Sequence, residues 1–212
     1  MIQFTDMTGL ASSAVAMTAA VFLLPGVTRM PKPSLALLGS AVAVVSLVPC
    51  GVLPLAAYVR GVIGDLSITS LVLLTLVISR TLFGWPPSNN KAKLALQALI
   101  ALAALGLYPL ALGIGYFDPY RLGYGNLWFV SALLLVALAA YSRRLTVMAL
   151  SIALAVFAWG IGWYESTNIW DYLLDPMVSI YAISAVMKHS IRALLKSRRG
   201  YFLLRQRVRV KD

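Results

Sequence analysis

Charge is what this chain has least of. Only 12% of its 212 residues are Asp, Glu, Lys or Arg, whereas a soluble globular chain carries about 25%. Acids are the scarcer sign, seven against 18 bases, which leaves a net charge of +11. There is one cysteine, Cys50, so an intramolecular disulfide and a Cys-based metal cluster are excluded. Cys50 lies in VPCGV inside an apolar run and reads as a small packing residue. The single histidine, His189, stands beside Lys188 and reads as an interfacial polar residue. One histidine also excludes paired-His haem ligation within the chain. No Walker loop, nucleophile elbow, HExxH or zinc spacing occurs. Ionisable groups are missing from the middle of the apolar runs, where Gln97, Ser46, Thr75 and Ser151 are only mildly polar. Ion pumps and proton-coupled carriers usually need such groups, so transport is disfavoured.

What is present is apolar. Sixty per cent of the residues are hydrophobic and the mean hydropathy is +0.85. Lipid-facing helices cannot expose charge to hydrocarbon, and this accounts for the charge deficit. The expectation is an all-α integral membrane protein. A span needs about 20 apolar residues, and charges and turn residues divide the chain into seven runs, at 8–25, 34–58, 65–83, 93–113, 126–142, 145–163 and 174–195. The N-terminus lacks the basic start of a secretory signal, so the first run reads as a retained helix. Residues 1–195 form a single polytopic transmembrane domain on this reading, and 196–212 form a basic cytoplasmic tail.

Orientation follows from the bases. Arg29 and Lys32, then Arg80, Lys91 and Lys93, then Arg143 and Arg144 occupy alternate connections, and the C-terminal tail adds the rest. Only Arg60 and Arg121 fall on the other side. Positive charge marks the cytoplasm, so the N-terminus is expected outside and the C-terminus inside, in an inner (cytoplasmic) membrane. Every acid except Asp212 maps to the outer side, together with aromatics such as Tyr116, Phe117, Tyr120, Trp163, Tyr164 and Trp170.

One outer loop, GIGYFDPYRLGYG at 113–125, has a second copy. Gly113–Asp118 reads GIGYFD and Gly160–Glu165 reads GIGWYE, 47 residues apart. Two accounts fit: duplication of a helical hairpin, or independent use of glycine to end a helix and of rings to hold the interface.

Candidate chemistry gathers on this outer side. Asp118-Pro119 and Asp175-Pro176 read as N-caps followed by proline at the first helical position. Asp65 is expected to cap the third helix, with Ser67 and Thr69 in its first turn, and Asp171 to sit in an interfacial segment. Asp171 and Asp175 are thus structural caps or outer-rim polar groups. Arg60 and Arg121 either join outer loops, for example Arg121 to Glu165 or Asp171, or clamp a lipid phosphate, for which a guanidinium fork is suited. Asp118, Glu165 and Asp65 are the candidate catalytic acids. The tail reads as a membrane-surface anchor, or as a strand donated to a cytoplasmic partner.

The leading functional reading is a multi-pass subunit or assembly factor of a cell-envelope lipid or polysaccharide pathway, leaning away from an enzyme. Small-residue spacing at Ser12, Ala16 and Ala20 suits helix–helix contact. The alternative is an enzyme acting on a phosphate-containing lipid or lipid-linked glycan at the outer leaflet. A small-solute or lipid transporter is the second alternative. No cofactor is expected, and a divalent metal belongs only to the enzyme alternative. Membrane lipids and a protein partner, in the membrane or at the tail, are expected; nucleic acid is not, because the positive-inside bias already accounts for the charge.

Overall fold

A computed structural model of the chain describes residues 4–85 and 89–209, with side chains as far as Lys196. Its architecture is all-α. Among the described residues the helices are α1 (Phe4–Phe22), α2 (Lys32–Leu47), α3 (Leu55–Ile63), α4 (Ile68–Phe83), α5 (Asn90–Ala111), α6 (Leu127–Ser142), α7 (Thr146–Gly160), α8 (Ile169–Leu173) and α9 (Pro176–Arg209).

The second apolar run is not one helix. α2 stops at Leu47, and a two-stranded antiparallel hairpin, β1 (Pro49–Cys50) and β2 (Leu53–Pro54), separates it from α3. Pro49 and Pro54 lack the N–H a continuous helix needs, and Gly51 turns the hairpin at a positive φ of 87°. Cys50 is consequently exposed on the hairpin and not packed inside a helix. The other runs are also trimmed. By length and composition α5, with 22 residues, is the one described helix apolar and long enough to cross a membrane, while α2, α4, α6 and α7 are apolar but only 15 or 16 residues long. At 1.5 Å per residue, 16 residues span about 24 Å. At the other end α9 continues as helix through Arg209, so the tail backbone is helical there and not an extended strand.

Helix ends explain the trimming. Ser67, Asn89, Asn126 and Asn168 cap α4, α5, α6 and α8, each side chain accepting a backbone N–H of the first turn. Three C-termini share one bonding pattern, in which consecutive N–H groups reach back three and five residues. In α5 these are Gly113 N–H to Leu110 and Ile114 N–H to Pro109; in α7, Gly162 to Trp159 and Trp163 to Ala158; in α6, Arg144 to Tyr141 and Leu145 to Ala140. The pivot residue is left-handed each time, at φ 89° for Gly113, 65° for Gly162 and 59° for Arg144.

The same pattern bears on the repeated loop. In GIGYFD the first glycine is the pivot, whereas in GIGWYE it is the second. The structural offset is therefore that of Gly113 and Gly162, not that of the aligned letters. The rings after the pivot also part company: Tyr116 and Phe117 are exposed, while Tyr164 is buried. This difference of register favours separate helix-ending solutions over duplication.

Packing runs from α1, which contacts α2, α3 and α4, through α4 to α7, then to α6 and α5, and from α5 to α9. Small residues form much of the contact between α6 and α7. α6 buries Ala137 and Ala140 and exposes Leu134, Leu135 and Leu138; α7 buries Ala149, Ser151, Ala155 and Ala158 beside Met148 and Ile152, and exposes Leu150, Leu154 and Phe157. Gly39 of α2 admits the ring of Phe22, whose Cζ would lie 2.7 Å from an added Cβ.

Candidate functional site

The connections 48–67, 112–126 and 161–175 are joined to one another and to the start of α1 by polar side chains. Arg60, in the last turn of α3, directs Nε to Asp65 Oδ1 at 2.6 Å and Nη2 to Asp65 Oδ2 at 3.0 Å. Nη1 reaches Asp6 Oδ1 at 3.3 Å, and Glu165 Oε1 lies 4.0 Å from Nη2. Asp65 thus pairs with a guanidinium and does not cap α4; Ser67 does, its Oγ accepting from Ser70 N–H at 3.2 Å. A chelated guanidinium holds Asp65 more strongly than a backbone N–H two residues on. The Asp65 bond, and then the field of Asp65, raises the Arg60 pKa from its ordinary value.

This cluster is possible because residue 9 is glycine. A Cβ there would stand 2.4 Å from Arg60 Nε and 2.6 Å from both Arg60 Cζ and Asp65 Oδ1. Gly9→Ala is expected to destabilise the protein by about 1–3 kcal/mol through overpacking, less the roughly 1 kcal/mol by which alanine improves a helix. In a double-mutant cycle followed by thermal unfolding, Arg60→Ala should relieve the defect. Additive losses would show that Gly9 and Arg60 do not compete for space.

Asp175 caps α9, its Oδ1 accepting Val178 N–H at 2.8 Å. It is also 4% exposed, and Oδ2 accepts Ser67 N–H at 2.9 Å, Ser67 Oγ–H at 2.8 Å and Ser70 Oγ–H at 2.5 Å. One carboxylate therefore ties the starts of α4 and α9 together.

A third cluster joins the two glycine-rich loops. The Tyr120 hydroxyl lies 3.0 and 2.9 Å from the two oxygens of Asp171, and Ser166 Oγ donates to Asp171 Oδ2 at 2.5 Å. Asn168 Nδ2 donates to the Tyr120 carbonyl at 2.9 Å, and Trp170 Nε1 to the Pro119 carbonyl at 3.0 Å. Burial, then the bond to Asp171, raises the Tyr120 pKa. Tyr164, whose hydroxyl is 3.0 Å from Ser12 Oγ, is pushed up to about 12, chiefly by burial, with Asp65 contributing.

The remaining candidates lie apart from these clusters. Asp118 accepts Tyr120 N–H at 2.9 Å as the cap of the 3-10 turn Pro119–Gly123. Arg121 is exposed on that turn and forms no ion pair among the described residues; Glu165 and Asp171, its expected partners, face Arg60 and Tyr120 instead. Among the described residues no three His, Cys, Asp or Glu side chains are grouped to hold a metal ion. Gly9, Ser70, Ser166 and Asn168 also build these clusters, although nothing in the sequence pattern alone singles out the first three. Asn168 before IWDYL had a local signal, the preference of asparagine for N-caps; Gly9 had none, since its role depends on α3.

No protein-family model, curated protein or solved structure matches the chain.

Proposed function

We propose that this chain is a multi-pass protein of the inner membrane, with about seven passes, the N-terminus outside and the tail in the cytoplasm. It serves as a non-catalytic subunit or assembly factor of a cell-envelope lipid or polysaccharide pathway. The observation that carries the membrane reading is the outward placement of large apolar side chains on α6 and α7, Leu134, Leu135, Leu138, Leu150, Leu154 and Phe157, while alanines and Ser151 make up most of the buried faces. In water that arrangement would expose a large apolar surface. In lipid, where apolar burial supplies no drive between helices, close approach of small residues is what holds them. Short helices are accommodated by their interfacial loops and by local bilayer thinning.

The subunit reading is supported by how the outer polar groups are used. Arg60, Asp65, Asp171 and Asp175 spend their bonding capacity on one another and on nearby hydroxyls and backbone, bracing the loops. The braced end presents Tyr116, Phe117, Tyr124 and Trp128 outward, rings suited to the headgroup layer or to a partner.

Topology is tested with the native thiol. An impermeant maleimide applied outside should label Cys50 in the wild type and Tyr116→Cys in a Cys50→Ser background, and spare Trp85→Cys. Labelling of position 85 from outside would overturn the orientation. Complementation with Asp118→Asn, Glu165→Gln and Arg121→Lys, at matched expression, separates subunit from enzyme: all three should retain function. Loss in each, with the protein folded, would favour the phosphate-lipid enzyme.

A further inference from the structure

α1 packs on α4 and α5 on α9, but α1 with α4 on one side and α5 with α9 on the other do not fill the space between them, which α3 and the start of α7 also border. They leave a cavity of about 760 Å³, within the ~300–1,000 Å³ of ligand pockets. Its walls are apolar, with Ala16 and Ala20 of α1 opposite Leu73 and Val77 of α4, Leu96 of α5 and Met177 of α9. Ala16 and Ala20 belong to the small-residue row that includes Ser12. Ser12 makes a helix-to-loop contact with Tyr164, whereas the two alanines leave open space.

The lining is polarised. Arg80, Lys93 and Arg144, from three different segments, all reach the end where α4 finishes and α5 and α7 begin, with Asn89 beside them. Among the described lining residues there is no acid. From Ser70 to Arg80 the α4 wall rises about 15 Å at 1.5 Å per residue, most of the length of that helix, and Ile63, Leu66 and Met177 continue the lining at its outer end. A long apolar trough with a cationic mouth at one end is complementary to an acyl chain carrying an anionic headgroup.

Arg144 supplies an independent observation. It occupies the left-handed pivot that the ends of α5 and α7 assign to Gly113 and Gly162, and it is the one non-glycine residue with positive φ among the described residues. Glycine would hold that backbone without strain. Arginine there is explained if its side chain is needed where it lies, on the cavity mouth.

We infer that the cavity holds an anionic phospholipid drawn from the cytoplasmic leaflet, with acyl chain between α1, α4, α5 and α9 and phosphate at Arg80, Lys93 and Arg144. Guanidinium and ammonium donors at a helix-bounded mouth on the cytoplasmic side suit such a headgroup. The inference rests on the membrane orientation proposed above, which places these three bases inside.

The test is native mass spectrometry of the full chain released from micelles containing equal phosphatidylglycerol and phosphatidylcholine. One retained lipid is expected, with phosphatidylglycerol favoured about tenfold or more. Arg80→Gln/Lys93→Gln/Arg144→Gln should reduce the preference to near parity, while Lys196→Gln/Arg198→Gln/Arg199→Gln on the tail should keep it. Ala20→Trp, which fills the trough, should abolish retention of both lipids. Should the triple variant misfold, Arg144→Gly serves in its place, since it relieves the backbone and should melt no lower than the wild type yet lose part of the preference. Equal retention of the two lipids by the wild type, displacement by millimolar inorganic phosphate, a preference that follows the tail, or a protein segment retained in place of lipid would each overturn the site. With Cys50 labelled from outside and position 85 spared, such a result removes the lipid site alone; reversed labelling removes the orientation as well.

Discussion

Asp175→Ala is expected to destabilise the protein by about 3–5 kcal/mol, the range for removing one member of a buried charged network. The carboxylate accepts from two serine hydroxyls and two backbone N–H groups while almost fully buried. Alanine strands those donors, and each unsatisfied buried donor costs about 1–3 kcal/mol unless it finds another partner. The helix cap on α9 is lost as well, about 0.5–2 kcal/mol. A fall in melting temperature of roughly 6–20 °C follows if one kcal/mol is worth about 2–4 °C in a chain this size. Asp175→Asn should lose less, since its amide oxygen can still cap Val178, but its amino group then opposes Ser67 N–H. Ser70→Ala removes a single donor and should cost least of the three. A melt of Asp175→Ala within 2 °C of the wild type, roughly the shift of a loss under one kcal/mol, would mean that the α4–α9 junction does not depend on this carboxylate.

Gly123→Ala is expected to break the junction between the two glycine-rich loops. An added Cβ would lie 1.7 Å from Asn168 Oδ1, 2.6 Å from Asn168 Cγ and 2.8 Å from Trp170 Cδ1. None of these is the free end of a flexible chain. Asn168 is fully buried, its Oδ1 accepts Trp170 N–H at 3.0 Å, and its Nδ2 holds the Tyr120 carbonyl. Moving it costs the α8 cap in addition to overpacking, about 2–4 kcal/mol together. The damage should stay local, so the backbone amides of 120–123 should exchange faster while α1 and α2 keep their protection. Protection unchanged at 120–123 would show that the loop has room the structure does not give it. Exposed Gly61, with nothing within 4 Å of an added Cβ, is the control, and alanine there should be neutral or mildly stabilising.

These two sites illustrate what lay in neighbouring residues and what did not. An Asp-Pro pair before an apolar run announces an N-cap because the bond it makes closes within three residues, and Asp175 and Asp118 both make it. The apolar runs likewise announced helices, since hydrophobic length and helix-ending glycines and prolines act along the chain. The break at Pro49 and Pro54 was visible as two prolines, though that they flank a hairpin turned by Gly51 and not a kinked helix was not.

Partners across long separations were decided by packing alone. Arg60 and Arg121 look equivalent as lone bases among acids. Only Arg60 is brought against carboxylates, because α3 folds back over α1 and Gly9 clears the space, whereas Arg121 rides an exposed turn. Asp175 meets Ser67 and Ser70 across more than a hundred residues, and the cavity arises where Ala16 and Ala20 face Leu73 and Val77. Helices built from alanine, serine and leucine can slide past one another at little cost in burial. Periodicity therefore says that such helices pack, while the sparse polar contacts and the shapes of a few glycines choose the register.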